Sequence, residues 1–591
     1  MRRLARLLAL PLLAASGLGV SVCPSGGPDR SLVVQQYGIE PGHPEPHTPG
    51  SGVAGVEMPA SANVQSLAGA APDLNRVSVL RTALDHPDAA PRTILILVPG
   101  FLGGAGTFAP LAEQLVAKFN GALEVWAVDR RPNQLEDRRG AAWARDEIEA
   151  GGDARTAIEQ AVAFYLPDDV PVPFLLPDAL GMPRPYVRLE QDDVRFAAHW
   201  GVDTYVRDWK LLVDRARAIV GRQGLVLFGG HSQGTYWASV FAAYDFDPDP
   251  DGVDAGYEHV DGILLLEGGG GREPAAPPPD LATYAATVEA LAQPGGPPVF
   301  LADFQGIEPA ILGPGAELSG LAGVHLPDEA SILQPTRVFS TPPFSLFFTA
   351  PMDNRSLVGF FIDDDFQPVT AFRASVGFST DGPNQQTQLF GETFLVAKPN
   401  GALRRWIDRD DPALPVCPPS EPGPPLTGPG CAVHSNGARP APDAAPQTWG
   451  FEREVSSLDD LLRVQVLDAN FVEWYFLSGR TGLDGSYGID SSALVAEAVA
   501  AGGDEGPLVL TQNGNVDVPV LCIGGSNGLA PLESSFATYL GSIATPPEDQ
   551  RVEIVEGHAH LDVLTASPNP VVPIVGDWVN RLQARRLLAA P

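Results

Sequence analysis

A serine set between glycines, Gly230-His231-Ser232-Gln233-Gly234, carries the clearest chemistry in this 591-residue chain. It follows the apolar run Gly224-Leu225-Val226-Leu227-Phe228-Gly229 and opens a segment of helical composition, Thr235 to Tyr244. A serine on a tight strand-to-helix turn stands above a sheet, where its hydroxyl can attack an electrophilic carbon. The glycines leave room where the strand and helix backbones approach each other. The helix N-terminus behind the serine offers amide groups to a developing oxyanion. G-x-S-x-G alone is a weak pattern, and the buried strand before it and the helix after it give it weight.

Such a serine needs a base, and an imidazole with a pKa near ~6.5 suits neutral pH. Histidine occurs at positions 43, 47, 86, 199, 231, 259, 325, 434, 558 and 560. The run Gly557-His558-Ala559-His560-Leu561-Asp562 places two of them one residue apart. It imitates a metal-binding His-x-His-x-Asp cluster, but Val563 stands where a further histidine would be needed. No metal site and no cofactor is therefore expected. A base needs an acid to orient it. Glu267 ends the apolar run Gly262-Ile263-Leu264-Leu265-Leu266, directly before Gly268-Gly269-Gly270. A carboxylate following a buried strand faces the crevice at the sheet's carboxyl edge. Asp562 and Glu533 remain alternatives.

The elements that must hold these groups alternate in type. Thr93-Ile94-Leu95-Ile96-Leu97-Val98, ending at Pro99-Gly100, predicts a strand buried on both faces. Ala109 to Phe119 has helical spacing, Glu124 to Asp129 predicts a strand, and Tyr205 to Val220 predicts a helix. The strand pattern returns at Val518 to Ile523 and Arg551 to Val555. Short apolar strands alternating with helices predict an α/β fold with a doubly wound, mostly parallel sheet. Between about 272 and 510 the alternation stops, and proline clusters and phenylalanines take over. That stretch predicts a cap inserted between sheet strands, with Phe344, Phe347, Phe348, Phe360 and Phe361 lining either a pocket or the cap's own core.

In these settings the motifs resemble those of the α/β-hydrolase superfamily of esterases and lipases, over about 91–270 and 515–591. The resemblance implies Ser232 as nucleophile and a base after the last strand. The stretch His560-Leu561-Asp562 is similar to that of lipase-like members and selects His560, leaving His558 a supporting or solvent-facing role. It implies oxyanion amides at Gln233 and at Phe101, in Pro99-Gly100-Phe101, where proline replaces the family's usual histidine. The usual acid position, after Val520 to Ile523, holds Asn527, which brings no charge. Some members carry the acid one strand earlier, which here is Glu267. The implied activity is cleavage of carboxylic esters, of small molecules or lipids, through an acyl-enzyme on Ser232. An acyltransferase or amidase on the same residues, and a catalytically silent binding protein of this fold, are the competing readings.

The remaining features bound the setting. With 72 acidic and 38 basic residues the net charge is -34, which repels nucleic acid. Lysine occurs only at Lys118, Lys210 and Lys398. Residues 1–22, with Arg2, Arg3 and Arg6 before an apolar stretch, predict an export signal. Cys23 then offers a site for a lipid anchor, although Val22 is larger than such sites prefer; anchoring and plain secretion both remain open. Residues 23–70, rich in Pro and Gly, predict a tether, 71–271 and 511–591 the two parts of the core, and 272–510 the cap. Cys417 and Cys431 bracket a proline-rich loop and are the natural disulfide pair in an oxidising compartment, while Cys522 predicts an inert core thiol.

Overall fold

The computed structural model describes residues 32–85, 90–247, 252–271, 277–303, 308–340, 342, 344–381, 384–389, 392–399, 401–408, 454–465, 471–503 and 506–589. The export signal, Cys23 and the Cys417–Cys431 pair lie outside the described residues.

Eight strands form one sheet: β1 (Leu32–Pro41), β2 (Arg76–Leu84), β3 (Thr93–Val98), β4 (Leu123–Asp129), β5 (Leu225–His231), β6 (Gly262–Leu266), β7 (Val520–Gly525) and β8 (Gln550–Val555). Their spatial order is β1-β2-β4-β3-β5-β6-β7-β8. The pairs from β4 through β8 are parallel, and β2 runs against both β4 and β1. Parallel strands need crossovers that cover both faces, which is why β3, β5 and β6 are apolar apart from Thr93 and His231 at their ends. Every residue of those three strands is buried. Helices Ala109–Lys118 and Val571–Ala589 pack together on one side, and Val202–Val220 and Gln233–Ala243 pack together on the other. The α/β fold is doubly wound and mostly parallel, as the strand pattern predicts. Cys522 is fully buried in β7, and burial pushes its thiol upward, in keeping with an inert core residue.

The segment expected as a tether differs from that expectation. From residue 32 onward it supplies the edge strand β1 and helix Ala62–Ala68, and it is sewn to the body. Arg131 holds Asp208 through two contacts of 2.6 and 2.8 Å and also donates to the carbonyl of His43. Trp200 Nε1 donates to Thr48 Oγ1 at 2.7 Å. Proline and glycine content concealed an arm whose order comes from these long-range contacts.

The insertion between β6 and β7 carries helices Leu281–Ala292, Pro309–His325, Asn354–Ile362 and Leu458–Gln465 with two small two-stranded antiparallel sheets. The cap layer also draws on helices Arg139–Glu149 and Ala154–Tyr165, which precede it in the chain and pack against Pro309–His325. Arg138 reaches Glu317 at 2.6 Å across that contact. Asp562 joins insertion to body, accepting from Ser375 N, Ser375 Oγ and Ser456 Oγ, at 2.6 to 2.9 Å, and from Ala559 N at 2.7 Å.

Candidate active site

Five segments leave the carboxyl edge of the sheet side by side. They are the loop after β3, the turn after β5, Glu267 after β6, the turn at Gly525 and the loop after β8, in the register set by the parallel pairs. Ser232 occupies the turn after β5 with φ 58° and ψ −121°, a left-handed conformation a side chain adopts only when its surroundings hold it there. Its amide donates to the carbonyl of Leu266 at 2.8 Å. The flanking glycines are demanded by space. A Cβ on Gly234 would lie 2.0 Å from the carbonyl oxygen of Val98, and one on Gly230 would lie 2.2 Å from that of Gly234. Helix Gln233–Ala243 begins at once, so the Gln233 amide is a first-turn donor with no acceptor inside its own helix.

His560 and Glu267 meet below this turn. His560 Nδ1 lies 2.8 Å from Glu267 Oε2, and the two side chains are 1% and 0% exposed. Glu267 itself sits at φ 55°. Its carboxylate is cradled by the turn after β7: the amide of Leu529 donates to Oε2 at 2.7 Å, and the amide of Gly525 donates to Oε1. Burial pushes the Glu267 carboxyl up, and the amides of Gly525, Leu529 and Ala530 pull it back. Burial pushes His560 down to about 3, so the ring is neutral and able to accept a proton. A ring whose Nδ1 is held by a carboxylate presents Nε2 as the accepting nitrogen.

The other candidate acids lie elsewhere. Asp562 spends its oxygens on Ser375, Ser456 and Ala559, and Glu533 is exposed. Asn527 belongs to the turn that wraps Glu267, where its amide donates to the carbonyl of His558. His558 is buried and turned to the carbonyl of Glu556 at 2.9 Å.

One supporting residue escaped the sequence reading. His231, the variable position of the serine motif, is buried, and its Nε2 lies 3.0 Å from the carbonyl oxygen of His560. Burial lowers His231 to about 3, so the neutral ring donates from Nε2 and pins the loop that presents His560. Nothing in the local sequence marks it, because its partner is 329 residues away.

A narrow cavity of about 90 Å³ opens on Ser232, His231 and His560. Its floor is the loop Gly100 to Gly103, and its roof is apolar: Leu312, Phe361, Ile362, Phe372, Phe471 and Val472. Of Phe344, Phe347, Phe348, Phe360 and Phe361, only Phe361 lines it. Phe344 and Phe348 pack with Phe339, and Phe360 packs with Phe366 and Trp406, forming the cap's own core. Among the described residues one further cluster could invite a metal: Glu45, His47 and His199 lie within 4.8 Å of one another, away from this cavity. The two rings stack 3.6 Å apart at 6°, and lone pairs lying in nearly parallel planes do not converge on one ion.

No family model and no curated protein matches this chain. Solved structures do. A putative lipase from Sulfolobus solfataricus is 11% identical over 86% of this chain and 90% of its own, with a TM-score of 0.38. An esterase from Thermogutta terrifontis is 9% identical over 86% and 95%, with a TM-score of 0.30. Epoxide Hydrolase A from Mycobacterium thermoresistibile is 12% identical over 85% and 95%, with a TM-score of 0.31. By its own strand order and the serine turn after β5, the chain has an α/β-hydrolase fold.

Proposed function

We propose that this protein is an exported serine hydrolase that cleaves carboxylic esters through an acyl-enzyme on Ser232. The observation that carries the reading is the buried contact between His560 Nδ1 and Glu267 Oε2 beside a cavity lined by Ser232. In the first half-reaction Ser232 Oγ bonds to the acyl carbon and its proton passes to His560 Nε2. The ester C–O bond then breaks, and the same proton leaves with the alcohol. Water reverses these roles and frees the acid. Glu267 stabilises the imidazolium that exists only between these transfers. The amides of Gln233 and Phe101 face the oxyanion.

The cavity also bears on the substrate. A large insertion leads one to expect a bulky ligand, yet the volume is well below the ~300–1,000 Å³ of most ligand sites. An apolar, narrow site favours a compact aliphatic acyl group, with the alcohol part left outside. The apolar leader at residues 1–22 supports export.

Labelling with a fluorophosphonate probe tests this reading. The expected result is one modified peptide, carrying Ser232, that disappears in Ser232→Ala. A folded protein that resists the probe, or labelling that survives the substitution, refutes it.

A further inference from the structure

The loop after β3 is held from behind by a buried ion pair. Arg130, one residue beyond β4, is 4% exposed, and its Nη2 lies 2.5 Å from Glu473 Oε2, itself 1% exposed. The same guanidinium donates to three loop carbonyls: Gly100 at 3.0 Å, Gly103 at 2.9 Å and Pro99 at 3.4 Å. Glu473 comes from the insertion, and its segment is bonded to the loop as well. Its amide donates to the carbonyl of Leu102 at 2.8 Å, and the amide of Gly104 donates to the carbonyl of Phe471 at 3.1 Å. Gly103 and Val472 form an antiparallel bridge between these bonds. Leu102 sits at φ 56°, a conformation the loop would not keep without such support.

These contacts determine where the loop's amides point. In a trans peptide the carbonyl and the following N–H are directed oppositely. The Gly100 carbonyl faces Arg130, so the Phe101 N–H faces away from it. Ser232 stands close to this peptide: a Cβ on Gly100 would lie 2.8 Å from Ser232 Cβ, and Phe101 lines the same cavity as the serine. A buried pair is in itself weak evidence for stability, because desolvation offsets the attraction. Burial here pushes the Glu473 carboxyl up to about 7 even against Arg130. What a planar fork of donors supplies in return is orientation.

We propose that Arg130 and Glu473 are positioning residues for the oxyanion loop. Arg130 gathers the loop carbonyls to one side so that the Phe101 amide is presented toward Ser232. Glu473 holds Arg130 in place, and the oxyanion site is complete only when the inserted segment 471–474 is docked. This inference rests on Ser232 being the nucleophile.

The test uses the full-length protein, the rate of fluorophosphonate labelling and the kinetics of p-nitrophenyl butyrate hydrolysis. The double variant Arg130→Met/Glu473→Leu removes both charges of the pair together, so neither is left without its partner. It should keep the far-UV spectrum and lose about 10–100-fold in kcat and in labelling rate, with KM within about three-fold, since one oxyanion donor is worth ~10²–10³ in kcat. Glu473→Gln, which keeps an acceptor for Arg130, should recover most of that loss. Unchanged kcat in the double variant, or a rise in KM alone, overturns the proposal. So does failure of both variants to fold, which would make the pair structural. If wild-type protein itself neither labels nor hydrolyses the ester, the fault lies with the nucleophile reading instead.

Discussion

The floor and the roof of the cavity are built by different means. The floor comes from strand ends: the loop Gly100 to Gly103 follows β3, and beside it Ser232 and Glu267 follow the neighbouring strands β5 and β6, each in a left-handed conformation. The roof comes from an insertion whose helices and small sheets pack on one another and on helices Arg139–Glu149 and Ala154–Tyr165, with a few apolar side chains turned down. Sheet ends place atoms tightly, and an inserted layer shapes space. Chemistry should therefore reside in the floor and selectivity in the roof, with the Arg130–Glu473 pair as the point where they meet.

Substitutions in the floor should be the most costly. Ser232→Ala should lower kcat for short esters by about three orders of magnitude or more, measured by steady-state hydrolysis. Residual activity near wild type would place the nucleophile elsewhere. Glu267→Gln should cost about 10²–10⁴-fold in kcat, because a neutral amide cannot stabilise the imidazolium. A smaller but more pointed effect is expected from Gly528→Ala. Its Cβ would lie 2.0 Å from Glu267 Oε2, so the acid must move, and a displacement of about 1 Å can cost ~10²-fold. The loss should appear in kcat with the melting temperature lowered by only a few degrees.

Acidity supplies a test of the floor's electrostatics. In the proposed scheme the base must be neutral to act, and burial holds His560 down to about 3. Its charged form therefore appears only as pH falls toward that value, so the acid limb of kcat/KM should lie well below the ~6.5 of an ordinary imidazole. A limb near neutrality would mean that Glu267 outweighs burial in the resting site. Roof changes should be milder. Phe361→Ala enlarges the cavity and should shift preference toward longer acyl chains by about ten-fold in relative kcat/KM, leaving kcat for acetate esters within a few-fold. Exhaustive dialysis against a chelator should change nothing, since no step of the proposed chemistry uses an ion; loss restored by zinc would contradict that scheme.

The same division explains what could be read from the chain. Strands β3 and β6 are legible to the residue because burial on both faces demands unbroken apolar runs. The serine motif is legible because its glycines answer to collisions between adjacent backbones. Strand β1 is not, since an edge strand pairs on one side and its flanks are rich in Gly and Pro. Helices Arg139–Glu149 and Ala154–Tyr165 were hidden because their partner, Pro309–His325, is far along the chain. Arg130 and Glu473 share that fate: each looks like an ordinary surface charge until the fold buries both.

The placement of the insertion has a further consequence, for how the protein matures. Glu267 and the Gly525 amide that cradles it are 258 residues apart, yet they end neighbouring strands. Closing so long a loop is only modestly worse in entropy than closing a short one, because the cost grows with the logarithm of length. It is slow all the same, since a distant contact yields nothing until closure is complete. A chain emerging from synthesis thus carries its serine turn long before it carries an oriented base. On the proposed scheme, refolding should show secondary structure first and competence for acyl transfer last, which would leave the half-made protein inert toward esters.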